Sequence, residues 1–549
     1  MTPSSRAHWW ATLALSGLVV AMLCAFFGPR RSLPVMPRAA ADERVLRIAY
    51  VQNLQLDPHR RSFPFPVQNQ FILSLWEPLI ECDPETGQPL PAAAESWEWS
   101  ADRRTLTLKL RAEGRWSNGD RVVAEDFVRA WRRLLRRDME VAGVLFPLKN
   151  ASAFHGGKAK AEDLGVEAVD ESTLRLTLAE VRSTLVTELA DPLLVPLHAS
   201  TESILEDSRF LREPEAVVSN GAFQLARASK DGFRVALSPY YRDRDAIRLA
   251  GAEFVRVDNL KMGRLLVATG RVDMMAPLPE HALADLPTDR SVREVSEMAL
   301  IVSTLDLNTK RGPLQDVRVR RALALAMDRA TALQRAPGSN TLVPAYAWVP
   351  DMPGRPALTI LHENADEARR LLAEAGYPHG KGFPVLVMPV SPRWRTYTYL
   401  QDWTDRWYRE LGIRTYLAYA GEAERMQGIK EGTYDIIFNG LIATVPDAGD
   451  MLGAFAWPGV FNATAWSDPE VNQLLREANS ESGAERLALL EAVERRVMDA
   501  VPTIPTMFER RTTLLAGEVE GWYADPLGRQ ALKRLAIRAR AIIEPKVIL

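Results

Sequence analysis

Only two cysteines, Cys24 and Cys82, occur in the 549 residues, and Cys24 lies inside an apolar N-terminal run. A structural disulfide between them is not expected, and a disulfide-stapled scaffold is excluded. Histidine is also scarce. His8, His59, His155, His198, His281, His362 and His379 form no HExxH or other dense ligand pattern, so no metal site is expected. GxSxG, GxGxxG and GxxxxGK[ST] are missing, and no spacing singles out a Ser/His/Asp trio or an acid pair. Catalytic residues and a cofactor are therefore not expected. The formal net charge is -2, without the basic excess that a nucleic-acid partner would require.

The chain is long for one core, so two or three domains are the natural prior. Its 47% hydrophobic and 25% charged residues are ordinary for a globular protein, whereas 14 tryptophans are many. Large aromatic faces build cores and also hold ligands. "RAHWWATLALSGLVVAMLCAFFGPRR" carries an apolar run from Trp9 to Phe27, about 19 residues, long enough for a transmembrane helix. A signal peptide cleaved near Ala39-Ala40-Ala41 competes with an uncleaved anchor, and the anchor is favoured because those alanines lie well beyond the run. Ala21-Met22-Leu23 does not make a lipoprotein site before Cys24. Positive charge after the span argues for the reverse orientation, but either reading places the body outside the cytoplasm.

The body reads as mixed α/β. "RVLRIAYVQN" (Arg44–Asn53) alternates as a first strand. "TLTLKL" (Thr105–Leu110) is a half-buried strand, and Asn118-Gly119 marks a tight turn. "AEDFVRAWRRLL" is an amphipathic helix with Phe127, Ala130, Trp131 and Leu134 on one face, acids first and arginines last. "STLRLTLAE", "SNGAFQLARA", "FRVALSPYY" and "GAEFVRVDNL" add strands, so extended chain dominates up to about residue 305. "LLVATGRVDMM" reads as a helix stopped at Gly270, then a strand from Val272. Helices dominate afterwards. Asp316 caps one, and Asn364 to Glu367 forms a capping box before a stop at Gly376. Leu400, Trp403, Trp407 and Leu411 line a third. Ser467 is read as the cap of a fourth that has Pro469 in its first turn. "FPVLVMPV" and "YDIIFNGLIA" are buried strands, and "RLALLEAVERRVMDAVPTIPTMF" is a long helix followed by a strand. Alternating elements over this span give α/β layers.

"LPAAAESWEWSADRRTLTLKLRAEGRWSNGDRVVAEDFVRAWRRL" resembles the extracellular solute-binding proteins, family 5, of ABC transporters: the dipeptide, oligopeptide and nickel class. "LDP" at Leu56–Pro58, "SNGAFQL", "ATGRVDM", "LDLNTKRGPLQDVRVRRALALAMDR", "EARRLLAEAGYP" and "AVPTIPTMF" follow in the family's order, from Arg44 to Tyr523. The resemblance implies a periplasmic-binding-protein-like class II α/β fold, two lobes plus an inserted small domain. Residues 1–43 would be the N-terminal segment and linker. Lobe I would take 44–74, 198–300 and 506–549, the inserted domain II 75–197, and lobe III 301–505. The function implied is capture of a peptide or similar small solute between the lobes, by a monomer, for delivery to an ABC permease in the membrane.

In peptide-binding relatives a Gly-Trp-x-Ala-Asp-Tyr-Pro-Asp-like stretch lines the cleft, and its acid can hold the peptide's amino terminus. The matching run here is "GLIATVPDAGD", Gly440–Asp450, in which Leu441 replaces the aromatic, Thr444 the acid and Val445 the tyrosine. Thr444 cannot neutralise an ammonium, which is costly to leave unpaired in a closed cleft. Either Asp447 or Asp450 takes that task, or the ligand lacks a free amine, or peptide transport has been lost. Ligand-binding candidates are thus Thr444, Asp447, Asp450, Asn308, Trp76 and Trp457, with Asn220 and Trp116 behind them; ordinary turn or core roles compete at each. Asp328 and Arg329 are read as a structural ion pair. Two functions stay open: the receptor of an importer, or a membrane-tethered sensor or scaffold that kept the lobes and lost transport. A hydrolase of the same fold is a remote third.

Overall fold

The computed structural model describes residues 44–51, 53–60, 66–137, 139–278, 292–336, 339–352, 354–392, 398–456, 463–523 and 525–538. One large sheet runs in the order Ile436–Ile442, Val292–Leu307, Thr503–Ala516, Met274–Leu278, Val45–Tyr50, Gly251–Arg256, Gly232–Leu237, Phe223–Ser229, and Leu342–Pro344 pairs off this path with Thr503–Ala516. Val45–Tyr50 lies inside this sheet, parallel to both neighbours, and five of its six residues are buried. That explains why its apolar residues are nearly continuous. The strand expected from Val272 begins at Met274, after Gly270 turns the chain at φ +67°.

The AESW region builds a second, four-stranded antiparallel sheet from Ala94–Trp99, Thr105–Leu110, Thr173–Thr177 and Val166–Asp170. Helix Ala124–Leu134 buries Phe127, Ala130, Trp131 and Leu134 as its spacing predicts. Val123 has no capping oxygen, and Asp126 compensates. Its Oδ2 accepts from the Val123 N–H at 2.9 Å and from Trp116 Nε1 at 3.0 Å. Trp131 Nε1 donates to the Leu194 carbonyl at 3.0 Å. The LDP element is tied to the same helix: Arg133 Nη1 and Nη2 donate to the two oxygens of buried Asp57 at 2.9 and 2.7 Å. Both tryptophans are core residues here.

Apolar side chains gather into two main cores. One takes the AESW sheet, its helices and the outer strands of the large sheet, with Leu515, Leu532 and Leu535. The other takes Leu300 to Leu307, the later helices, and Ile504 to Phe508. Two long antiparallel strands, Val292–Leu307 of 16 residues and Thr503–Ala516 of 14, have one end in each core. Their pairing runs from Val292 to Met298 and resumes at Val302. Across the break Ala299, Leu300 and Ile301 oppose Glu509 alone.

In the second core Asp316 caps Val317–Leu325, and Asn364 caps Ala365–Glu374. Thr398–Leu411 buries Leu400, Trp403, Trp407 and Leu411. Two expectations are corrected. Asp468, not Ser467, caps Pro469–Ser480, accepting from the Glu470 N–H at 2.9 Å. Asp328 and Arg329 do not pair with each other, because a cap side chain folds back on its helix while the next residue turns inward. Asp328 accepts from the Thr331 N–H at 3.3 Å, and buried Arg329 meets Glu363 at 2.8 Å. The expected transmembrane helix is also overturned for the described residues, none of whose helices is long and apolar enough to cross a membrane. The run Trp9–Phe27 lies outside them.

Candidate functional site

The Gly440–Asp450 stretch leaves the edge strand Ile436–Ile442 and enters the short helix Ala448–Leu452. Asp447 is that helix's cap, accepting from the Gly449 N–H at 2.7 Å. Its two oxygens also take both terminal nitrogens of Arg486, at 2.8 and 2.7 Å. This carboxylate is therefore fully engaged within its own core. Asp450 folds back under the loop. Its Oδ2 accepts from the Thr444 N–H at 2.7 Å, and its Oδ1 accepts from the Thr444 hydroxyl at 2.9 Å. Its side chain is 12% exposed. Burial pushes its carboxyl up to about 6, partly opposed by the Thr444 N–H and reinforced by the charge of Glu188.

Glu188 arrives from the other core, with Arg182, Ser183 and Thr184. Arg182 Nε donates to Glu188 Oε1 at 2.6 Å, and the Thr184 hydroxyl donates to the same oxygen at 2.5 Å. Arg182 Nη2 stands 4.0 Å from Asp450 Oδ1, across the junction of the two cores. Beside it Arg486 Nε donates to Ser183 Oγ at 3.2 Å, and Ser183 Oγ donates to Asn479 Oδ1 at 3.3 Å. The charge balance is uneven. Arg486 neutralises Asp447, but Glu188 and Asp450 share one guanidinium.

The structure thus brings Thr444, Asp447 and Asp450 together and leaves Asn308, Trp76, Asn220 and Trp116 apart. Asn308 is a buried turn residue: Nδ2 donates to the Tyr434 carbonyl at 3.2 Å, and Oδ1 accepts from the Lys310 N–H at 3.2 Å. Trp76 is fully buried in the first core. Asn220 exchanges two 3.0 Å bonds with the Glu77 backbone. Trp457 lies outside the described residues. Arg182, Ser183, Glu188 and Arg486 were not foreseen, since nothing local in "RSTLVTE" or "AERLALL" indicates a partner hundreds of residues away.

A second polar cluster gives each of its carboxylates a cation. Glu77 accepts from Tyr241 Oη at 2.7 Å and from Arg242 Nη1 at 2.5 Å, and Lys533 lies 3.3 Å away. Burial opposes its charge, but Lys533, then Arg242 and Tyr241, hold the carboxyl down to about 2. Lys533 and Arg534 also meet Glu81. This cluster fastens the chain's C-terminal part to its first part.

Residues 88–462 match the model of the bacterial extracellular solute-binding proteins, family 5. The chain belongs to this family. As a family 5 protein it binds a solute outside the cytoplasm, and it stands among binding proteins rather than enzymes. It is 29% identical to the probable deoxycholate-binding periplasmic protein YgiS of Escherichia coli over 82% of this chain and 86% of that one. It is 24% identical to the periplasmic oligopeptide-binding protein OppA of Salmonella typhimurium over 96% and 98%. The unliganded open form of the periplasmic murein tripeptide-binding protein MppA superposes with a TM-score of 0.74 at 24% identity, over 90% of this chain and 98% of that one. That likeness establishes the periplasmic-binding-protein-like α/β fold.

Proposed function

We propose that this protein is the receptor of an ABC importer, capturing a peptide between its two cores and delivering it to a permease in the membrane. The peptide's amino end sits at Asp450. The observation that carries this reading is that Glu188 and Asp450 share one guanidinium at the junction of the cores, beside Thr444, which stands where the resemblance implies an acid. Thr444 cannot offset an ammonium, Asp447 is occupied by Arg486, and Asp450 lies 2.9 Å behind the Thr444 hydroxyl. One added positive charge would bring that cluster to neutrality.

Val292–Leu307 and Thr503–Ala516 serve as the hinge. Residues 44–74, 198–300 and 506–549 form lobe I, 75–197 the inserted domain and 301–505 lobe III, and the receptor works as a monomer without a cofactor. The names of relatives such as OppA and MppA support peptide as the solute class. A sensor or scaffold reading has no support beyond the altered Gly440–Asp450 run.

Thermal-shift screening with pools of tri- to pentapeptides, free or acetylated at the amino end, tests the reading. A free-amine pool at about 100 times its Kd stabilises the protein by about 2.7 kcal/mol, and the acetylated pool does so less. Stabilisation by deoxycholate with no response to either pool refutes the peptide assignment.

A further inference from the structure

Arg182 is hydrogen-bonded at one end and makes only a long charge contact at the other. Its Nε bonds to Glu188 on its own side, while its Nη2 reaches across the junction to Asp450 at 4.0 Å, a charge contact too long for a hydrogen bond. Its side chain is 31% exposed, so it has room to withdraw. Burial opposes its charge, but Glu188 first, then Asp450 and Asp447, hold it on. Asp450 keeps acceptor capacity for a cation that takes the guanidinium's place.

We propose that Arg182 is a placeholder for the solute's primary ammonium: without solute its guanidinium faces Asp450 across the two cores, and a bound amino group takes over Asp450 while Arg182 stays with Glu188. The inference rests on the reading of the solute as an amine-bearing peptide and goes further, because it makes a residue of the opposite core a competitor for the amine. Two carboxylates and one guanidinium leave the junction one positive charge short. With the ammonium in place the charges balance, so the junction is most favourable when the solute is present. An acetylated end cannot make the exchange and leaves Arg182 facing Asp450, so Arg182 limits the preference for a free amine that Asp450 creates.

The test compares the full-length protein with Arg182→Gln and Arg182→Lys by calorimetric titration against the free and acetylated peptide pools. Arg182→Gln removes the competitor, and the free-over-acetylated affinity ratio rises about tenfold. Arg182→Lys keeps a cation and retains the wild-type ratio. An unchanged or lower ratio in Arg182→Gln overturns the proposal. A second measurement needs no ligand: carbon-13 carboxyl titration of Asp450. Its midpoint rises by about one pH unit in Arg182→Gln when the guanidinium is its counter-charge, and an unmoved midpoint overturns the proposal. If no variant binds either pool, the peptide reading falls, while this titration still decides the placement of Arg182.

Discussion

Acidification provides a direct measure of the amine site. The Asp450 carboxyl stands at about 6 because burial outweighs its hydrogen bonds. A bound ammonium favours the ionised form and lowers that value toward the ordinary range near 4. Proton and amine therefore compete, and affinity for a free-amine peptide falls as pH drops through 6. At pH 7 roughly nine-tenths of Asp450 is ionised, and at pH 5 roughly a tenth, which predicts about tenfold weaker binding, or about 1.4 kcal/mol. Asp450's own contribution to stability has the opposite sign. A carboxyl raised by folding stabilises the empty protein fully below its unfolded value, and that contribution is lost as pH rises through about 6. Isothermal titration at pH 7 and pH 5, with the acetylated peptide as control, isolates the effect. Asp450→Asn removes the slope along with most of the preference for the free amine. The peptide amine is mostly protonated at both pH values, so an affinity that holds or increases on acidification refutes the assignment of Asp450.

Asp57→Asn leaves the buried Arg133 guanidinium without its two-oxygen partner; a loss of about 3–5 kcal/mol is expected in chemical denaturation. Burial opposes the Asp57 charge but Arg133 outweighs it and keeps the carboxyl low, so its stabilisation is present above the unfolded value and is lost as pH falls through the lower folded one. Trp131→Ala opens a hole in the first core and frees the Leu194 carbonyl, costing about 3–5 kcal/mol by the same measurement. Arg486→Gln weakens the tie from Asp447 to Ser183; faster hydrogen exchange over 444–452 with little change in peptide preference is expected, since Asp450 carries that preference.

Elements governed by local chemistry were readable from the chain. Phe127, Ala130, Trp131 and Leu134 announced their helix by spacing, and Asp316 and Asn364 announced theirs as caps. Ser467 and Asp468 are both good caps, and the sequence cannot rank neighbours that the backbone turn distinguishes. The candidate site was half legible. Thr444, Asp447 and Asp450 lie within seven residues, and the resemblance drew attention to them. What divides the two acids, Arg486 on one and Arg182 with Glu188 beside the other, depends on contacts 39 and 268 residues apart that only the folded chain reveals. Trp76 and Trp116 stay open between core and cleft in the sequence because an aromatic's role depends on what covers it, and here both are covered by the core.

The three-against-one mismatch at Ala299–Ile301 and Glu509 has a mechanical meaning. Paired ribbon lies on either side, whereas across the mismatch the two long strands lose their direct ladder and Leu300 and Ile301 turn to Ala443 and Ile442 instead. In the proposed hinge motion that break would be the axis, its distance to Asp450 would be fixed by the chain, and the angle at which the two halves come to rest would select the guest.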